Sequence, residues 1–111
     1  MTRIGFGIAA LASLVLAAWF VIVENESPGL SFGIALIAMP MLTALFGLSH
    51  VKGNGITKDG KGAGWAAVVI AVLGVGYQAA FFGPWLPVAM GWLALHIPMI
   101  IGLVSSPTVE G

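Results

Sequence analysis

Four long apolar segments alternate with short polar or turn-forming stretches along the chain. The segments cover residues 4–23, 30–49, 65–83 and 85–104, and none of them contains Asp, Glu, Lys or Arg. Each is close to the roughly 20 residues that an α-helix needs to cross about 30 Å of hydrocarbon. Short turns join the first segment to the second and the third to the fourth, which makes each pair antiparallel. The pattern predicts an all-α integral membrane protein in which residues 1–111 form one membrane domain, with four transmembrane helices in two antiparallel hairpins.

The composition favours the same class of protein. The chain is 59% hydrophobic and 7% charged, with a mean hydropathy of +1.08, whereas a soluble domain is about 25% charged. The expected partner is therefore the lipid bilayer. The formal net charge is zero, so the chain lacks the basic field that attracts nucleic acid. The absence of cysteine excludes disulfides and thiolate metal sites.

The polar stretch at residues 50–64 divides the chain into two hydrophobic halves and carries three of the four basic residues. With four spans, the basic residues all fall on one side of the membrane: Arg3, Lys52, Lys58 and Lys61. Glu24 and Glu26 fall on the opposite side. By the positive-inside rule, these four residues are topology anchors that place both termini and the loop 50–64 in the cytoplasm.

Local turn signals refine the segments between the spans. Asn54 and Gly55 form a strong hairpin signal, which predicts a small β-ribbon between Val51 and Lys58. Residues 105–111 are expected to form a short solvated tail.

Two prolines fall inside the predicted helices. Pro40 and Pro98 lack a backbone N–H, so each should kink its helix and leave a carbonyl without its usual donor. The affected carbonyls belong to Leu36 and Ala94. In lipid, such a carbonyl needs another donor from a neighbouring helix or from water.

The candidate polar positions inside the membrane are His96, Gln78, Tyr77 and Ser13. Counting about 1.5 Å per residue places His96 near the middle of the bilayer, with Ser13 at almost the same depth and Gly74 opposite. The favoured interpretation is a neutral histidine hydrogen-bonded to Ser13, Tyr77 or a carbonyl freed by proline. A haem or metal ligand completed by a partner chain and a proton relay are the alternatives. Trp92 also lies deep, so its indole N–H needs an acceptor.

Small residues recur at steps of three and four on two helices: Gly5, Ala9, Ser13 and Ala17 on the first, and Ala63, Ala67, Ala71, Gly74 and Gln78 on the third. Such faces let helix backbones approach closely. With loops too short for a soluble active site, they favour a non-catalytic accessory or scaffold subunit that packs against partners in a larger complex. The expected protein partners are other membrane protein subunits or further copies of the chain in a homo-oligomer. The alternative is a small oligomeric channel or carrier with Gln78 and His96 in the path. No catalytic constellation or resident cofactor is expected.

Overall fold

The computed structural model describes residues 2–23, 29–53 and 55–110. Four helical stretches within them are long and apolar enough to cross a membrane. The helices are α1 (Thr2–Val23), α2 (Leu30–Ser49), α3 (Lys58–Phe81), α4 (Leu86–Ala94) and α5 (Ile97–Ser105), with a 3-10 turn at Gly83–Trp85. The fourth stretch, Gly83–Ser105, combines this turn with α4 and α5. Glu24 and Glu26 lie outside the described residues.

The third helix begins at Lys58, seven residues before the predicted start at residue 65. Thr57 caps it, because the Thr57 hydroxyl accepts a hydrogen bond from the Gly60 N–H at 3.1 Å. Asp59 lies in the first turn, where a negative charge interacts favourably with the helix dipole. The predicted loop at 50–64 is therefore too long: Lys58 and Lys61 lie on the first two turns of α3.

The fourth stretch is also different from the predicted continuous helix at 85–104. It is interrupted at Leu95 and His96, and Pro98 lies in the first turn of α5. A proline is well tolerated there because the N–H it lacks would have no partner inside the helix. The interruption thus precedes Pro98. By contrast, α2 continues through Pro40, and the bend expected at that residue stays a prediction.

A small three-stranded sheet lies at one end of the helices, in the order β1 (Val51–Lys52), β2 (Gly55–Thr57) and β3 (Thr108–Val109). The antiparallel pair β1 and β2 forms the predicted ribbon. The tail expected to be solvated instead supplies β3, parallel to β2. Two further contacts hold the residues before β3 in place. The Ile56 N–H donates a hydrogen bond to Pro107 O at 3.1 Å, and the Thr2 hydroxyl contacts the Ser106 hydroxyl.

The helices pack with α1 beside α2 and α5, and with α3 beside α2, α4 and α5. Two groups of buried apolar residues fill the space between them. Nearer the sheet are Phe6, Ala9, Ala10, Ala44, Val51, Ile56, Ala67, Met99 and Leu103. Farther along are Leu16, Phe20, Ile37, Ala71, Phe82 and Trp92. The small-residue faces of α1 and α3 lie against this interior. The chain's own helices therefore cover much of the surface that was predicted to bind partner chains.

Removal of the residues after Ser106 tests the attachment of β3. We expect the Ile56 amide to exchange its hydrogen about fivefold faster, because the lost bond to Pro107 O contributes about 1 kcal/mol. Hydrogen exchange measured by NMR checks this. The Thr57 amide is the internal control, since it donates to His50 O at 3.2 Å and keeps that partner. Equal acceleration at Ile56 and Thr57 would indicate general opening of the sheet instead.

Candidate functional site

Three of the predicted polar side chains are fully enclosed between the helices. The exposed fraction is 0% for Ser13, 1% for Gln78 and 0% for His96. Tyr77 is not among them: it is half-buried, and its hydroxyl donates to Gly29 O at 2.7 Å. The structure therefore separates Tyr77 from the other polar positions and gives it a role in holding the start of α2 against α3.

Ser13 is the hydrogen-bond partner of Trp92. The indole Nε1–H donates to Ser13 Oγ at 2.9 Å, and Ser13 Oγ donates to Ala9 O at 2.9 Å. This pairing satisfies the acceptor requirement expected for a deep tryptophan. It also joins α1 to α4 through a polar contact inside an otherwise apolar region.

His96 lies at the interruption between α4 and α5. Its Nδ1 is 2.9 Å from Trp92 O, and because a carbonyl can only accept, Nδ1 carries the proton of the neutral ring. Nε2 then presents a lone pair, and this buried atom has no hydrogen-bond partner within the described part of the chain. The partner of His96 is thus the Trp92 carbonyl rather than Ser13, Tyr77 or the Ala94 carbonyl. A haem shared with another chain could reach Nε2 only if the bundle opened.

Gln78 is the other buried side chain with unpaired polar atoms. Neither its amide nitrogen nor its amide oxygen has a partner among the residues that the structure describes. One turn earlier on the same face, a Cβ built on Gly74 would lie 3.3 Å from the Trp92 ring and 3.4 Å from Leu36 O. Gly74 therefore faces Trp92, one turn away from the predicted position opposite His96. Gly74 and Trp92 are each nine residues from Gly83, where the 3-10 turn between α3 and α4 begins.

These contacts define an interior polar column: Gln78, Trp92, Ser13 and His96. Trp92 occupies its centre, with Gly74 and Ser13 against the indole and with the His96 ring edge-on at a centroid distance of 5.2 Å. A Cβ at Gly64 would meet Leu103 and one at Gly74 would meet Trp92, so α3 and the fourth stretch run in opposite directions. Gln78 and His96 therefore lie on opposite sides of the indole. Each end of the column carries buried polar atoms without a partner among the described residues, and the Trp92 ring lies between those ends.

Comparison with known proteins gives no assignment. No protein-family model, curated protein or solved structure matches this chain. Within the described residues there is also no group of three or more His, Cys, Asp or Glu side chains that could hold a metal ion. The column's chemistry therefore has to be inferred from its own hydrogen-bonding groups.

A second polar region lies at the sheet end of the bundle. A cleft of about 680 Å³ is lined there by Ser49, His50, Lys52, Thr57, Lys58, Asp59, Thr108, Val109 and Glu110. Arg3 and Lys61 are on the first turns of α1 and α3, at this same end. The residues predicted to anchor the topology are thus gathered at one end, but Asp59 and Glu110 offset part of their charge in the cleft.

Ser13→Ala should destabilise the protein by about 1–3 kcal/mol, because the Trp92 indole N–H would be left without an acceptor in an apolar interior. Thermal unfolding in detergent measures the effect. Ser31→Ala on the exposed face of α2 is the control and should change stability little. In a Trp92→Phe background, which removes the donor, Ser13→Ala should lower the free energy of unfolding by a clearly smaller amount. Equal costs in both backgrounds would contradict the assigned pairing.

Proposed function

We propose that this chain is a multi-pass membrane protein whose four helical stretches cross the bilayer as two antiparallel hairpins. Large apolar side chains on the outside of all four stretches support this, among them Leu14, Leu42, Leu73 and Val104. A continuous apolar surface of this kind is unfavourable in water and favourable against lipid chains. Other membrane protein subunits, or further copies of this chain, would share that surface with lipid.

The proposed orientation has both termini and the β-sheet in the cytoplasm. It is supported by the position of Arg3, Lys52, Lys58 and Lys61 at one end of the helices, as the positive-inside rule requires. Replacement of the three lysines with glutamine tests their role as anchors. Reporter fusions at the C-terminus should then show a mixed orientation, and Lys→Arg replacements at the same sites should keep the original one. Unchanged topology in the glutamine variant would contradict the anchoring role.

Within the membrane, the function that the geometry supports best is that of a non-catalytic accessory or scaffold subunit. The observation that carries this proposal is the filled interior: the chain's own side chains occupy the small faces of α1 and α3, and no described span contains a charged side chain except in the first turns at the sheet end. Ion-coupled transport uses ionisable groups at membrane depth, and catalysis needs a nucleophile or an acid and base within reach. The outer surface is then the part that acts, by contact with partner chains.

The mass and composition of the particle extracted in mild detergent test this function. We expect a discrete complex that contains this chain together with other membrane proteins in fixed ratio. Crosslinking in the membrane before extraction is the control for loss of weak partners. A chain that is monomeric or purely homo-oligomeric in both experiments would contradict the accessory role.

A second candidate is a small oligomeric channel or carrier. The unpaired polar atoms of Gln78 and His96 favour it, because a solute that crosses the membrane needs hydrogen-bonding groups inside the protein. In this case Trp92 has to move for passage. Solute flux into liposomes tests it: His96→Ala and Gln78→Ala should alter flux, and His50→Ala, outside the column, should not. Absence of flux across a broad solute panel would contradict this candidate.

A further inference from the structure

Pro40 and Gly74 place a carbonyl that lacks its helical hydrogen-bond donor at the contact between α2 and α3. Pro40 has no N–H to donate to Leu36 O, which is the bond that a regular α-helix would make. Gly74 lets α2 approach α3, and its built Cβ would lie 3.4 Å from that same Leu36 O. A carbonyl that has lost its helical donor thus faces α3 inside the helical stretch.

Gln78 is placed one helical turn from the contact between Gly74 and this carbonyl. Gln78 and Gly74 are four residues apart on one face of α3, which places their Cβ positions about 5–6 Å apart. Side chains on a helix lean toward its N-terminus, so the Gln78 side chain leans toward the turn of Gly74. Gln78 and Leu36 O do not bond directly, because the amide nitrogen and oxygen of Gln78 both lack a partner within the described chain.

We propose that Gln78 and Leu36 O form an internal site for one small neutral molecule that both donates and accepts hydrogen bonds, and that this molecule is water. A bridging water satisfies both groups with hydrogen bonds of about 2.8–2.9 Å each. An ion is disfavoured, because Trp92, which lies against Gly74, and Ile37, which follows Leu36, both belong to the second apolar cluster, and the cost of burying an unpaired charge there is high.

The site has a structural consequence for the bundle. Water at this position connects α2 to α3 where Pro40 interrupts the regular bonding of α2. Buried waters commonly make about three hydrogen bonds to protein groups that would otherwise be unpaired, and the Gln78 amide offers both a donor and an acceptor. The Trp92 ring closes the site toward His96. The proposal does not depend on the accessory or the carrier function, since either protein could contain such a water.

NMR of the protein in lipid nanodiscs tests the site directly. We expect magnetisation transfer from water to the side-chain amide protons of Gln78. Pro40→Ala supplies the missing N–H to Leu36 O and removes one of the water's acceptors, so the transfer should weaken or disappear. Pro98→Ala is the matched control in another helix and should preserve it. Wild-type Gln78 amide protons without any water transfer would overturn the proposal.

A thermodynamic cycle gives a second, independent test. Gln78→Met keeps the length of the side chain but cannot bind water, so it should lower the unfolding midpoint in the wild-type background. In the Pro40→Ala background the loss should be smaller. The same comparison with Pro98→Ala should show additive effects. A rise in the unfolding midpoint on Gln78→Met would overturn the proposal, because it is the result expected for an amide with no partner of any kind.

Discussion

Gly5→Ala is expected to destabilise the bundle by about 1–3 kcal/mol, the usual cost of overpacking. A Cβ at Gly5 would lie 2.6 Å from Pro98 O and 2.8 Å from the backbone N and Cα of Met99. These are backbone atoms of α5, so no side-chain rotation relieves the clash. Helices α1 and α5 would have to separate, and the packing around Met99 would loosen with them.

Gly7→Ala is the matched control for this prediction. Gly7 lies two residues farther along α1, and a Cβ there would meet nothing within 4 Å. Because alanine is favoured over glycine in a helix by about 1 kcal/mol, Gly7→Ala should be neutral or slightly stabilising. Thermal or denaturant unfolding in detergent compares the two variants. Similar unfolding midpoints for both would contradict the close approach of α1 to α5.

The contrast between Gly5 and Gly7 also shows how a small-residue face should be interpreted. The spacing of Gly5, Ala9 and Ser13 predicts close helix packing but does not say which helix is the neighbour. In the structure the neighbour is the chain's own fourth stretch, at Pro98 and Met99 for Gly5. An accessory subunit would therefore bind its partners through outer surfaces rather than through this face.

Hydrophobicity predicted the four helical stretches because length and apolar content are properties of each segment alone. The start of α3 was harder to predict, since the glycines and charges of residues 58–64 are typical of a loop. The signal that could have found it is the Thr57 cap followed by Asp59. Strand β3 could not be predicted locally, because two residues near the C-terminus become a strand only by pairing with Ile56 and Thr57.

The residues of the interior column could be predicted from the sequence, but their hydrogen-bond partners could not. Depth counting brought Ser13 and His96 to the same level, whereas the structure pairs Ser13 with Trp92, one turn from His96. A shift of one turn is about 5.4 Å, which is more than a hydrogen bond can span. The fourth stretch contains a 3-10 turn at its start and an interruption at Leu95 and His96, two features that a count along a regular helix does not include. Neither has a strong local signal except that Pro98 suits the first turn of a new helix.

Trp92→Ala should lower the free energy of unfolding by about 3–5 kcal/mol, a larger effect than that expected for Gly5→Ala or Ser13→Ala. The side chain is only 3% exposed, and it contacts Ser13 of α1, Gly74 of α3 and His96 at the interruption before α5. Its removal leaves a cavity between the two ends of the column. It also leaves Ser13 Oγ without the donor that it accepts from.

Trp65→Ala is the matched control, because this residue of α3 is 42% exposed and contributes less to the interior. We expect a much smaller change in its unfolding midpoint. The same pair of variants separates the two proposed functions in liposomes: a carrier gated by the indole should leak after Trp92→Ala even where the variant still folds, as judged by its helical circular dichroism. An accessory subunit should lose stability and gain no flux. Since Trp92 lies between Gln78 and His96, the flux measured for Trp92→Ala distinguishes a closed structural core from a path that the indole interrupts.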